Sequence, residues 1–288
     1  MTAGNEKSMN ARSLFREIRK KLEEGGIENA CGEAGFIIEY LTGRSYPSAM
    51  LDDSLLSKKI TDSAADICKR RTSGEPLQYI FGEWDFYGMT FKVGKGVLIP
   101  RADTELLVEE AIRLRDGFDN TKYVDLCSGS GCVAAAVAKY VKGVHGAAIE
   151  KSTEAFRYLK ENLSRLASEI EPCCIDALLA ETAKKYTELD LITANPPYLT
   201  ADDMHRLQKE VTFEPSSALF GGDDGLMFYR ELTHIWKSSL KSGGILLFEV
   251  GMGQHEAVME ILRENDFCSI SCKCDLAGIE RAVMGKRI

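Results

Sequence analysis

This sequence predicts an α/β fold: a doubly wound, largely parallel sheet preceded by a small N-terminal helical bundle and a β-hairpin linker. Three observations predict it. Helical periodicity fills residues 1–75, aromatic and β-branched residues alternate between glycines over 76–100, and from 122 onward strand-like and helix-like stretches take turns. The expected units are therefore 1–75, a linker over 76–100, and an α/β domain over 101–288.

In the first unit Leu14, Ile18 and Leu22 recur at helical spacing, and Gly25-Gly26 stops that helix. Ala30, Ala34, Ile37, Ile38 and Leu41 form a second stripe, ended by Gly43, and a further helix is expected over 57–72. "PLQYIFGEWDFYGMTFKVGKGVLIP" then reads as hairpin strands. "KYVDLC" is the first strand of the α/β domain, with a helix over 130–141. A second strand ends at Glu150, and Ser152 caps a helix over 153–167. "PCCID" is a third strand reaching Asp176, and "LDLITAN" a fourth. A helix over 225–241, the strand "GGILLFEV", a helix over 254–265 and a closing hairpin around Asp275 to Gly278 complete the domain.

Composition narrows the class of function. Hydrophobic residues make up 44% and charged residues 28%, an ordinary globular balance. No apolar run reaches the ~20 residues of a membrane span. The N-terminus lacks a signal-peptide core, so a soluble cytoplasmic protein without membrane contact is expected, acting as a monomer. Nine cysteines are scattered without zinc-type spacing, and only four histidines are present. Cys272 and Cys274 alternate along a strand and share a face, but no metal is expected. Net charge is −8; residues 1–75 hold 12 basic and 12 acidic residues, so the excess is all in the remainder. Proteins that grip nucleic acid carry a basic stripe, and the counts show none.

"DLCSGSGC" at 125–132 passes from a strand through small residues into a helix. Gly129 and Gly131 allow a ligand to approach the backbone, and the helix start offers free N–H groups. Glu150, at the end of the next strand, can accept both hydroxyls of a ribose. Gly129 to Ala134 also fits the dinucleotide pattern G-x-G-x-x-A, so an NAD enzyme is a second reading and a plain turn a third. Asp125 disfavours the dinucleotide, because a carboxylate beside a pyrophosphate is repelled by roughly a kcal/mol or more. It suits S-adenosyl-L-methionine, which carries a sulfonium and an amino group. Asp176 stands either where it can accept an adenine amino group or as the N-cap of a helix.

"NPPY" at 195–198 leaves the fourth strand at the switch point where open α/β sheets bind ligands. An amide or exocyclic amine nitrogen is a poor nucleophile. The Asn195 side-chain oxygen and the Pro196 carbonyl are two acceptors for its two hydrogens. Pro196 and Pro197 stiffen the segment, and Tyr198 can hold a planar group. The gain is alignment for methyl transfer and stabilisation of charge developing on nitrogen. No acid–base group or metal is needed.

With these motifs the chain resembles the class I S-adenosylmethionine-dependent amino-methyltransferases of Rossmann-like fold, and within them the PrmC or HemK family of release-factor glutamine N5-methyltransferases. The matching stretches are "GEPLQYIFGEWDFYGMTFKVGKGVLIPRADTELLVE", "DLCSGSGC", "NPPYL", "EPSSALFGGDDGLMFYRELT", "FEVGMGQ" and "DLAGIERAVMG", in family order over nearly the whole chain. "NPPY" is shared with enzymes that methylate adenine, so an amino-methyltransferase acting on adenine or guanine in nucleic acid is the alternative. The resemblance implies methyl transfer to the glutamine of the Gly-Gly-Gln motif in class 1 peptide chain release factors, with S-adenosyl-L-homocysteine as product. It places Cys127, Ser128, Gly129, Ser130 and Gly131 around the methionine part of the cofactor, with Asp125 and Asn195 expected among the cofactor-binding residues as well. Glu150 falls at the ribose, Asp176 and Ala177 at the adenine, and Lys151 is also expected among the cofactor-binding residues. Asn195, Pro196, Pro197 and Tyr198 hold the glutamine, and the helical N-terminal domain docks the release factor.

Some positions depart from the family pattern. Ala102 replaces a proline, which loosens the entry to Asp103-Thr104-Glu105. Glu150 stands where Asp is frequent. Cys127 replaces a glycine, which implies a negative φ there. Arg101 and Glu105 belong either to the substrate site or to an ion pair that ties the linker to the core. Glu249 is either a ligand or a buried acceptor for backbone amides.

Overall fold

The structure, a computed structural model, describes residues 9–288; residues 1–8, and with them the start of the expected first unit and of the N-terminal stretch, lie outside the described residues. The chain divides into two compact units. One comprises residues up to Gly82 with Lys209–Phe213, and the other Glu83–Gln208 with Glu214–Ile288.

The first unit is helical: α1 (Ala11–Glu24), α2 (Ala30–Thr42), α3 (Tyr46–Leu51), α4 (Lys58–Thr72) and α5 (Leu77–Phe81). Leu14, Ile18 and Leu22 of α1 meet Ala34, Ile37 and Ile38 of α2 and Ile67 and Cys68 of α4 in one core. Gly43 ends α2 in the left-handed conformation, φ 66°. Within the core Arg71 is 2% exposed and forks onto Glu33 at 2.7 and 2.9 Å. It also pairs with Glu210 of the returning segment.

The hairpin expected over 76–100 is confined to β1 (Glu83–Phe86) and β2 (Met89–Lys92). Leu77 and Ile80, three residues apart, bury one helical face in the bundle core, and that burial overrides the strand preference of Tyr79 and Phe81. Tyr87 (φ 49°) and Gly88 (φ 68°) form the two-residue turn that right-twisted strands require. Phe86, Met89 and Phe91 pack in the core of the second unit, so the hairpin is part of that unit.

No element is expected between 101 and 121, yet α6 (Glu105–Arg115) lies there, burying Leu107, Val108 and Ala111. The alternation follows: β3 (Lys122–Leu126), α7 (Cys132–Tyr140), β4 (His145–Glu150), α8 (Thr153–Leu166), β5 (Ile170–Cys174), α9 (Ala180–Ala183) and β6 (Leu189–Ala194). Then come α10 (Ala201–Met204), α11 (Met227–Trp236), β7 (Leu240–Glu249), α12 (His255–Glu264), β8 (Phe267–Cys274) and β9 (Glu280–Arg287). The sheet runs β5-β4-β3-β6-β7-β9-β8, with β9 alone antiparallel to its neighbours. The expected doubly wound sheet with an antiparallel hairpin at one edge is borne out. The third strand stops at Cys174, two residues short of Asp176. The helix expected over 225–241 ends at Trp236, because β7 already pairs Leu240 with Leu189 of β6.

Each sheet face carries its own core. Leu191, Leu247 and Tyr123 face α6, α7, α8 and the hairpin. Val124, Ile192, Leu246 and Phe248 face α11 and α12. One buried amide spans the first of these layers. Asn162 of α8 accepts from Lys92 N (2.8 Å) and donates to Lys92 O (3.0 Å) and Ser130 O (2.9 Å). It thereby fastens the hairpin to the glycine loop. Asn162→Leu leaves these backbone groups unsatisfied and should lower unfolding free energy by roughly 3 kcal/mol, read from urea denaturation.

Candidate active site

The sheet register builds the site. β3 lies between β4 and β6, so the chain leaves the sheet in opposite directions on the two sides of the β3–β6 pair. Asp125 faces Thr193 across that pair. Thr193 donates to Asp125 Oδ1 at 2.6 Å and stands 2.6 Å from the Tyr123 hydroxyl, which supplies the next proton along. Asp125 Oδ2 has no hydrogen-bond partner among the described residues, although Asp125 is 1% exposed. Burial pushes this carboxyl up to about 7, against the Thr193 hydroxyl, which favours the ionised form.

A cavity of about 500 Å³ opens above these strand ends. Its walls include Asp125, Cys127, Ser128, Gly129, Ser130, Glu150, Lys151, Asp176, Ala177, Asn195, Pro197 and Arg101 of the expected site. Gly131, Pro196, Tyr198 and Glu105 are not among them. Val133, Ile149, Ala155 and Phe228 add apolar surface.

Gly129 has open space where a side chain would stand, as a ligand-facing glycine needs. Gly131 does not face a ligand. It turns the chain into α7 at φ 81°, and a Cβ there would come within 2.7 Å of Leu159 Cδ1. Cys127 corrects the sequence expectation as well: its φ is 57°, not negative. The chain must reverse there so that Ser128 N can donate to Ile149 O (3.0 Å), and a cysteine tolerates the bend that a glycine takes freely.

Glu150 holds the loop through both oxygens, accepting from Gly129 N (2.9 Å) and Ser152 N (2.7 Å). Burial raises its pKa, and those two N–H groups oppose the rise. Each oxygen keeps a lone pair for a further donor. Asp176 caps no helix, since α9 begins only at Ala180. Its Oδ1 accepts from Leu178 N (3.0 Å) in an Asx turn, and its Oδ2 pairs with exposed Lys151 at 2.7 Å.

Arg101 and Glu105 do not pair with each other. Arg101 binds buried Glu214, which also accepts from Ile99 N at 3.0 Å. Glu105 accepts from Tyr87 N (2.8 Å) and holds the hairpin turn. Ala102–Thr104 forms a tight 3₁₀ turn where a loosened entry is expected, and Arg281 of β9 pins it through Asp103 at 3.1 Å.

Asn195 donates its amide nitrogen to Thr104 Oγ1 at 3.2 Å. The segment that follows is gripped from two sides. Leu199 N donates to Leu219 O and Gly221 N to Leu199 O, both at 2.8 Å. Gln254 donates to Tyr198 O at 3.0 Å while accepting from Gly251 N at 3.1 Å. A Cβ on Gly221 would stand 2.6 Å from Pro197 O, and one on Gly251 2.9 Å from the Tyr198 ring. Burial pushes the Tyr198 phenol up to about 12, so it stays protonated. Glu249, 3% exposed, leaves Oε2 without a hydrogen-bond partner among the described residues. Thr104, Thr193, Glu214 and Gln254 have no signal in sequence spacing; each acts on a partner from 56 to 113 residues away.

An unpaired carboxylate beneath a glycine loop, with an amide at the adjoining strand end, belongs on this sheet to a class I S-adenosylmethionine-dependent methyltransferase. Solved structures share the fold. The catalytic domain of hMettl16 superposes with a TM-score of 0.57 over 79% of this chain and 82% of that one, at 16% identity, a likeness of fold alone. Residues 13–82 match the PrmC N-terminal domain family, and residues 109–225 the family described as conserved hypothetical protein 95. The release factor glutamine methyltransferase of Geobacter sulfurreducens is 35% identical over 96% of both chains. That of Vibrio cholerae is 32% identical over 97% of both, and that of Fusobacterium nucleatum 34% identical over 87% of this chain and 77% of its own. The chain belongs to the release factor glutamine methyltransferase family.

Relieving the left-handed strain at position 127 should be visible in stability. Cys127→Gly should be neutral or stabilising by up to ~1 kcal/mol, whereas Cys127→Val should cost about 1–2 kcal/mol, both measured by urea denaturation.

Proposed function

We propose that this enzyme transfers a methyl group from S-adenosyl-L-methionine to the side-chain N5 of the glutamine in the Gly-Gly-Gln motif of class 1 peptide chain release factors, in the cytoplasm. Family membership supports the reaction. The observation that carries its assignment to this cavity is Asn195, a cavity wall whose amide nitrogen is already committed to Thr104. Its oxygen is thus the end available to accept a hydrogen.

The residues present fit the cofactor. Asp125 Oδ2, buried and unpartnered, suits a cationic group, and the open space over Gly129 admits the chain that carries it. Glu150 would hold the ribose hydroxyls on its free lone pairs, and Asp176, Ala177 and Leu178 border the space for the adenine. The sulfonium supplies an electrophilic methyl group when bound. The protein supplies orientation. Asn195 Oδ1 and the Pro196 carbonyl take the two hydrogens of the glutamine nitrogen, and so aim its remaining face. Both acceptors also stabilise positive charge as it develops on nitrogen. The flanking bonds from Leu219, Gly221 and Gln254 keep the acceptors in place, so little reorganisation is needed at the moment of transfer. Tyr198, which stays protonated and is not itself a cavity wall, backs the segment that carries the two acceptors.

The assay pairs labelled S-adenosylmethionine with a release factor, with its Gln→Ala form at the Gly-Gly-Gln motif, and with nucleic acid. Label should enter the first alone. Equal labelling of both release-factor forms, or labelling of nucleic acid, overturns the proposal. Asn195→Ala should lower turnover by roughly a hundredfold, the scale of a lost preorganised polar contact.

Cofactor affinity should depend on pH through Asp125. The ionised carboxylate is the binding form and the free group titrates at about 7. Calorimetry should therefore find affinity about tenfold weaker near pH 6 than near pH 8, with a flat profile in Asp125→Asn.

A further inference from the structure

The amide of Asn195 is held by Thr104, which itself borders the cavity, and lies beside Glu249, which does not. Ala194 of β6 lies opposite Phe248 of β7, so the next step sets Asn195 beside Glu249 on one face of the sheet. Thr104, 2% exposed, comes down on that face from the turn before α6 and accepts from Asn195 Nδ2 at 3.2 Å. Glu249 Oε2 has no hydrogen-bond partner among the described residues. The Thr104 hydroxyl and the Asn195 amide both favour the ionised form of the Glu249 carboxyl.

These facts impose a polarity. A threonine hydroxyl has one proton. If that proton goes to a carboxylate, the hydroxyl oxygen can only accept, and Asn195 must present its nitrogen to it. The amide oxygen is then the end left for the cavity. A reversed amide would set its oxygen against the carboxylate and turn an NH₂ group towards the substrate nitrogen, whose hydrogens need acceptors. We propose that Glu249 and Thr104 form a relay that fixes the polarity of the Asn195 amide, making both of them positioning residues for methyl transfer. The catalytic part of this rests on the function proposed above; the amide polarity itself does not.

The relay has a pH dependence. Protonated Glu249 becomes a donor, can supply Thr104, and frees the amide to reverse. Burial pushes Glu249 up to about 7, with Arg281 of β9 favouring the carboxylate and Asp103 of the preceding turn opposing it. Tyr198, Tyr229 of α11 and Cys132 of α7 also face it, and all three stay protonated in the neutral range. Asp125 titrates at about 7 on the neighbouring strand pair, so the two carboxyls must be separated by mutation.

Two measurements on the full chain test the relay. The first needs no substrate: the Asn195 side-chain ¹⁵N–¹H signals, identified by their loss in Asn195→Asp, are followed from roughly pH 5.5 to 8.5. They should titrate with a midpoint of about 7 in the wild type and in Asp125→Asn, and should not titrate in Glu249→Gln. Signals that do not move in the wild type, or that titrate unchanged in Glu249→Gln, overturn the relay. The second is kinetic. Thr104→Val should lower kcat about 30-fold with the cofactor KM within about twofold, Thr104→Ser should restore kcat to within about threefold, and Thr104→Val should add no loss in an Asn195→Ala background. A Thr104→Val enzyme with kcat near the wild type, or an additive loss in that background, also overturns it. A wild-type enzyme that fails to methylate the release-factor glutamine removes the proposed function instead, and the first measurement still decides the polarity of the amide.

Discussion

Everything in the site depends on the parallel pairing of β3 with β6. These strands are separated by 62 residues of chain, from Leu126 to Leu189, yet their register sets Asp125 against Thr193. That contact is a hydrogen bond to a buried carboxylate, worth more than a neutral bond and costly to leave unmade. It fixes the height at which each strand ends. The glycine loop leaves β3 one residue after Leu126, and the amide of Asn195 leaves β6 one residue after Ala194. A slip of one residue would exchange the faces of the strand that moved and separate the carboxylate from the amide.

Around that pair, the two halves of the cavity differ in how they are held. The glycine loop is tied locally, by Glu150 accepting from Gly129 and Ser152, with one long tie to Asn162. The "NPPY" segment is tied from afar, by Thr104, Leu219, Gly221 and Gln254. Proline explains the difference. Pro196 and Pro197 offer no N–H, so the segment cannot enter a ladder, and its remaining groups must be satisfied by whatever the fold brings near. The segments that supply these partners are among those that carry the family resemblance.

The sheet, its order at the switch point and most cavity walls were legible in the sequence, because strands buried on both faces and glycine turns leave local signals. Asp125, Glu150 and Asn195 stand at strand ends, where composition marks them. What was hidden is tertiary. Nothing local shows that Arg101 goes to Glu214 and Glu105 to a backbone N–H of the hairpin turn. The positive φ of Cys127 was missed because a non-glycine residue argues for the opposite, and the neighbouring strand overruled it. Leu77–Phe81 was misread because aromatic residues resemble a strand until the bundle core claims Leu77 and Ile80. For Asp176, which the sequence left open between two roles, the N-cap alternative falls because the chain turns before the helical run begins.

The closeness of Gly221 and Gly251 to the "NPPY" backbone and the Tyr198 ring has a bearing on how such a site can diversify. A wall with no room for a single carbon admits almost no drift, so the amide-holding side is frozen by packing alone. The walls contributed by Gly96, Leu98 to Arg101, Pro215, Ser217 and Ala218 come instead from a loop and a short 3₁₀ turn. Lineages that keep the chemistry and change the molecule presented to it have that side in which to vary.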